Sequence, residues 1–146
     1  MGEPEVYVLK VSLASSIFEA KHFSFRVEIP STASFLELHE AIQEASHFEN
    51  DHLFEFYLGK NTWDQLKVFG DSQDPNTLAE VPIQEAFPIT LKGVKLLYHF
   101  DYGDDWLFEI RQLKQSPKYN PDKSYPVISH ISGERPIQYP DYDDEL

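Results

Sequence analysis

The stretch Val94-Lys95-Leu96-Leu97-Tyr98-His99-Phe100-Asp101-Tyr102-Gly103-Asp104-Asp105-Trp106-Leu107-Phe108-Glu109-Ile110-Arg111-Gln112-Leu113 holds two strand-like runs, 94–101 and 106–113, around a tight connection. Gly103 supplies a residue able to take the positive φ that hairpin turns demand. An antiparallel hairpin is therefore predicted here, and it sets the character of the sheet.

Upstream, residues 52–58 alternate through Phe54, Phe56 and Leu58, Gly59-Lys60-Asn61 reads as a turn, and 63–69 offers a shorter partner run. A second antiparallel pair is predicted. Residues 70–76 are loop by composition, and 83–87 make a single helical turn between Pro82 and Pro88. Nearer the start, 5–13 place Tyr7, Leu9, Val11 and Leu13 on one side, with Val6 and Val8 making the other side apolar at one end. Phe23, Phe25, Val27 and Ile29 then interleave with His22, Ser24, Arg26 and Glu28, a strand with one wet face that Pro30 stops. These two strands are expected to pair antiparallel through a connection over 17–21.

Between the two pairs, Ser34-Phe35-Leu36-Glu37 has the Ser-x-x-Glu form in which two side chains satisfy the orphan amides of a helix start. Phe35, Leu38, Ala41, Ile42 and Ala45 follow at helical spacing, with Glu37, Glu40, Gln43 and Glu44 opposite, so the pattern predicts one amphipathic helix of about 12 residues on the apolar face of the first two strands. Beyond Ser116 come five of the ten prolines, mixed with Tyr and acids. The expected fold is α+β: a single, mainly antiparallel domain, with a core over 1–115 and an irregular, extended and partly docked C-terminal segment over 116–146.

One packed core suits 146 residues at 41% apolar content, and the 14% aromatic share makes rings its main filling. A net charge of -13 repels phosphate backbones and anionic lipid, so nucleic acid is not the expected partner. No apolar run approaches the ~20 residues of a membrane span, and the N-terminal residues lack a basic and apolar leader; the expected setting is cytoplasmic. The absence of cysteine removes disulfides, thiolate zinc sites and thiol nucleophiles.

Asp101, Asp104, Asp105 and Glu109 crowd one turn with carboxylates, a donor type that binds hard cations, although the spacing matches no calcium loop and aspartates also cap turn amides. His39 and His47 lie eight residues apart, with His52 in the next strand; a metal could use two imidazoles and an Asp, but neither His-Glu-x-x-His nor His-x-His occurs. No serine sits in a nucleophile elbow, and no glycines cluster into a phosphate loop. Arg111, Lys114, Lys118 and Lys123, with Tyr119 and Tyr125 between them, form the one basic stretch. The acidic, Tyr-containing end, 139–146, suits docking on a basic partner.

The segment 98–110 resembles the hallmark of the plasmid pRiA4b ORF-3-like family. Leu38-His39-Glu40-Ala41-Ile42 is similar to that family's helix, His52-Leu53-Phe54-Glu55-Phe56 to its following strand, and Gly133-Glu134-Arg135-Pro136 with Tyr139-Pro140 to its Pro-rich ending. Phe54 and Phe108 stand where the family often has His, and the family's Ile-Trp-Arg stretch is absent. The resemblance implies no established activity, and only a loose association with mobile elements. The expected function is a binding or protein-interaction module without catalysis or cofactor, with a protein partner. Its candidate binding residues are His39, His52, Asp101, Asp104, Asp105 and Trp106: the carboxylates as acceptors, the imidazoles as ligands or proton carriers, the indole as a packing wall. A metal-dependent hydrolase using His and Asp ligands, and a mobile-element accessory that contacts nucleic acid, are the alternatives.

Overall fold

Alternation at period two builds β1 (Val6–Ser15) and β2 (Phe23–Pro30), which pair antiparallel from Val6–Pro30 to Ser12–Ser24. The computed structural model describes residues 2–17, 22–71 and 73–139, so most of the expected 17–21 connection lies outside the described residues. The Ser34 hydroxyl accepts from Glu37 N while the Glu37 carboxylate accepts from Ser34 N, and α1 (Phe35–Ser46) starts there as predicted. His47 ends it in the left-handed conformation, at φ 58, so the helical face does not extend to that histidine.

Next come β3 (Phe54–Gly59) and β4 (Gln65–Val68), antiparallel as expected, then 3₁₀ turns at Pro75–Glu80 and Ile83–Ala86, the first of which the loop composition had hidden. The hairpin forms from β5 (Lys95–Phe100) and β6 (Trp106–Gln112), and β7 (Val127–Gly133) lies within the segment read as extended. The seven strands make one antiparallel sheet in the order β4-β3-β5-β6-β1-β2-β7. Together with α1, the one long helix among the described residues, this is an α+β domain, as the sequence predicted.

Cross-strand partners share a face, so the register reads out both surfaces. Beneath α1 run the rows Phe56–Tyr98–Phe108 and Leu96–Ile110–Val11–Phe25, all buried. The helix approaches the first strand pair through β2, as expected, and its rings reach further, to β3 and β5: Phe35 lies 5.0 Å from Phe56, and His39 stacks on Phe54 at 3.5 Å and lies 5.7 Å from Tyr98. On the other face one row crosses the whole sheet as Val68–Tyr57–Leu97–Glu109–Ser12–Ser24–Ser132. Among the described residues no helix covers this row, although Tyr57, Leu97 and Ser24 within it are buried; it is called the open face below.

β7 is held close to β2 at its end: Gly133 has φ +84, and a Cβ there would sit 1.8 Å from the His22 carbonyl oxygen. Only glycine suits both demands.

Candidate functional site

The turn after β5 uses different residues from those its sequence suggested. Gly103 keeps a negative-region backbone, and Asp101 and Asp105 take the positive φ values of 57 and 59. A five-residue connection closed by Asp105 N donating to Asp101 O at 2.6 Å puts the left-handed residues at its two ends, where Asp is tolerated because its short carboxylate bonds locally. Asp101 Oδ1 accepts from Asp104 N at 3.3 Å, and Asp101 N donates to Leu53 O at 3.0 Å. The Asp104 carbonyl accepts from Ser16 Oγ and Ile17 N, fastening the turn to the end of β1. Burial, then the neighbouring Asp101 charge, raises the Asp104 carboxyl above its ordinary value.

Asp104 stays within this turn, and the structure divides the other five candidate residues among three places. His39 is buried under α1, with Nε2 2.6 Å from Asn50 Oδ1 and Nδ1 2.6 Å from the Tyr98 hydroxyl. An amide oxygen only accepts, so Nε2 carries the proton and Nδ1 accepts from Tyr98. Gln43 closes the circuit: its Nε2 donates to Tyr98 at 2.8 Å and its Oε1 accepts from Asn50 N at 2.9 Å. Burial pushes His39 down to about 4, against the Asn50 hydrogen bond, and holds the ring neutral. Trp106 is buried on the same face, 5.2 Å from Phe48.

His52 and Asp101 form the second place. His52 Nε2 lies 2.9 Å from the Tyr139 hydroxyl, 3.3 Å from Asp101 Oδ2 and 3.6 Å from Asp51 Oδ1. Tyr139 donates its own proton to the Asp51 carboxylate, which holds Asp51 below its ordinary value and pushes Tyr139 up to about 12. Gln138 joins in, accepting from Glu49 N and donating to Asp51 Oδ1, so the end of the described chain is strapped to the residues after α1. The residues from 140 on, which carry the acidic docking motif read from sequence, lie outside the described ones. The third place is on the open face, where Asp105 Oδ1 meets His99 Nε2 at 2.5 Å, with Glu55 3.9 Å from the other ring nitrogen. Hence His52 reaches Asp101, His99 reaches Asp105, and His39 bonds Tyr98 and Asn50. Among the described residues, no group of three or more His, Asp or Glu side chains is arranged to hold a metal ion.

The open face carries a second constellation that the sequence reading missed. Arg111 on β6 pairs across from Lys10 on β1, Lys10 from Arg26 on β2, and Arg26 from Ser129 on β7. Like charges directly opposite each other repel at Cβ separations of about 5 Å. Among the described residues the lysine and arginine ion pairs are Lys95–Glu109 at 2.6 Å and Lys123–Glu28 at 3.5 Å, and neither involves this row. A groove of about 580 Å³ lies at one end of it, lined by Lys10, Lys95, Glu109 and Arg111 and by apolar residues of the loop before β5. Each cation stood at a polar position of an alternating strand, but nothing local announced that the three would align.

The sequence model of the plasmid pRiA4b ORF-3-like proteins matches residues 5–141. The chain belongs to that family. Among solved structures, this pRiA4b ORF-3-like chain is similar to the crystal structure of a protein of unknown function, MM3350 from Methanosarcina mazei Go1, at 27% identity and a TM-score of 0.67, over 89% of this chain and 71% of that one. No curated protein matches. At the two positions where the family resemblance leads one to look for histidine, this member has Phe54 stacked on His39 and Phe108 buried 5.9 Å from Tyr98. Both rings fill the core beneath α1.

Proposed function

We propose that the chain is a binding module without catalytic activity, which presents the open face of its sheet to a short anionic partner. The observation that carries this reading is the row Arg111–Lys10–Arg26, three cations placed side by side in a chain of net charge -13. Their mutual repulsion is a standing cost to the fold, and an anion bound along the row would offset it. The histidines support the same reading from the other side, because each of His39, His52 and His99 is engaged by hydrogen-bonding groups of the fold itself. The overall charge disfavours a long phosphate backbone, which is why a short acidic segment or small anion is the partner proposed.

The test is an amide NMR titration of the full chain at low salt with hexaglutamate, inorganic phosphate and an oligothymidylate. Hexaglutamate or phosphate should shift the amides of Lys10, Arg26, Arg111 and Ser129, and the double variant Lys10→Gln with Arg26→Gln should lose the response. Silence of those amides toward every anion would sink the reading. Tighter binding of the oligothymidylate than of hexaglutamate would replace it with the mobile-element accessory.

A further inference from the structure

The groove at the end of the basic row has two unlike walls, and that contrast names a ligand. One wall is the sheet, where Lys10 and Arg111 stand directly opposite each other; the other is the loop that passes from Phe87 to β5, with Pro88, Ile89 and Leu91 lining the space. Leu91 is 64% exposed although it borders a concave surface. A leucine left so wet beside two cations is a mismatch for water and a match for a molecule with an anionic end and an apolar end.

We propose that this groove binds an amphipathic organic anion, its carboxylate or phosphate head held between Lys10 and Arg111 and its apolar body against Ile89 and Leu91. This rests on the open face being the binding surface. Three features carry it further. The volume, about 580 Å³, falls within the roughly 300–1,000 Å³ of sites for small organic ligands. Glu109, the carboxylate of the groove, is already bonded to Lys95 at 2.6 Å, so its charge is met within the fold and the anion faces Lys10 and Arg111. The backbone register keeps those two cations as neighbours, close enough for one head group to reach both, and the Arg fork matches a planar carboxylate or a phosphate with two parallel hydrogen bonds. An inorganic anion would meet the cations and leave Leu91 wet, whereas a neutral lipid would cover Leu91 and leave the cations repelling each other.

The experiment compares octanoate, octyl phosphate, 1-octanol and inorganic phosphate on the full chain by amide NMR and thermal unfolding, with all amphiphiles monomeric in solution. Octanoate or octyl phosphate should saturate shifts at Lys10, Arg111 and 88–91 below about 10 mM and raise the unfolding temperature; which of the two is tighter identifies the head group. 1-Octanol should bind about tenfold more weakly, since it lacks the charge-assisted bonds. Lys10→Gln with Arg111→Gln should lose about tenfold for octanoate without lowering the unfolding temperature of the free protein, and Leu91→Ser should weaken octanoate while leaving inorganic phosphate unchanged. Octanoate binding no tighter than 1-octanol, or indifferent to the double variant, overturns the assignment. Shifts at Arg26 and Ser129 with hexaglutamate, but none at Lys10 and Arg111 with octanoate, would overturn the groove while leaving the open-face reading in place. Absence of both would remove that reading as well.

Discussion

The two faces of the sheet follow opposite rules for polar groups. Beneath α1, the polar side chains of His39, Gln43 and Tyr98 are admitted to an aromatic core, and each hydrogen-bonding atom among them meets another within the Asn50 circuit. On the open face, Lys10, Arg26 and Arg111 are half-buried or exposed and stand next to one another with their charges uncompensated within the row. The difference follows from dielectric environment. In a dry interior an unmet polar group costs about 1–3 kcal/mol, which favours closed networks such as this one, whereas water screens exposed like charges to a few tenths. A fold can therefore keep unmet charge only where solvent reaches it, and that is also where a ligand can reach it.

The contrast can be broken most severely from the covered face. Phe108 is 0% exposed at the β6 end of the row Phe56–Tyr98–Phe108, so Phe108→Ala should cost about 3–5 kcal/mol in denaturant unfolding, while the open-face residue Leu66, 52% exposed, should tolerate alanine with little change. Equal losses at the two sites would mean that the faces are not energetically distinct.

Acid provides the next largest effect. His39 is depressed to about 4 in the folded protein and titrates near 6.5 unfolded, so between those values the unfolded chain binds the proton and the native one does not. The stability this neutral ring contributes is full above about pH 6.5 and is lost as pH falls toward 4, by up to about 3 kcal/mol. Unfolding free energies measured across that window should show a slope that His39→Gln flattens. An unchanged slope in the variant would assign the acid sensitivity to other groups.

The smallest effect has the opposite sign. Removing the like charges with Lys10→Gln and Arg111→Gln should stabilise the ligand-free protein by a few tenths of a kcal/mol, because direct cross-strand repulsion disappears. A thermal melt that instead drops by several degrees would show that these side chains hold the fold together and are not held apart by it.

How much of this was legible follows from the range of each signal. The capping box at Ser34 and the apolar spacing from Phe35 to Ala45 act within one helix, and the β5–β6 hairpin closes over a few residues, so both could be read from neighbours in the chain. The turn inside that hairpin was misread because Gly103 is the residue most free to take positive φ, yet the i→i+4 closure at Asp105 assigns that conformation to Asp101 and Asp105. The six candidate side chains were picked out by residue type, whereas the partners of the histidines among them are distant in the chain, Tyr98 for His39 and Tyr139 for His52.

By itself, then, the amino-acid order determined the helix, the strand pairs with short connections, the aromatic filling of the core and the family, since these depend on local periodicity or on a contiguous motif. Tertiary structure alone decided that β6 pairs with β1, and hence that Arg111 joins Lys10 and Arg26, already brought together by the predicted β1–β2 pair, in one row above a groove. Strand alternation states which residues of one strand share a face. Only the pairing of strands distant in sequence states which charges on that face meet.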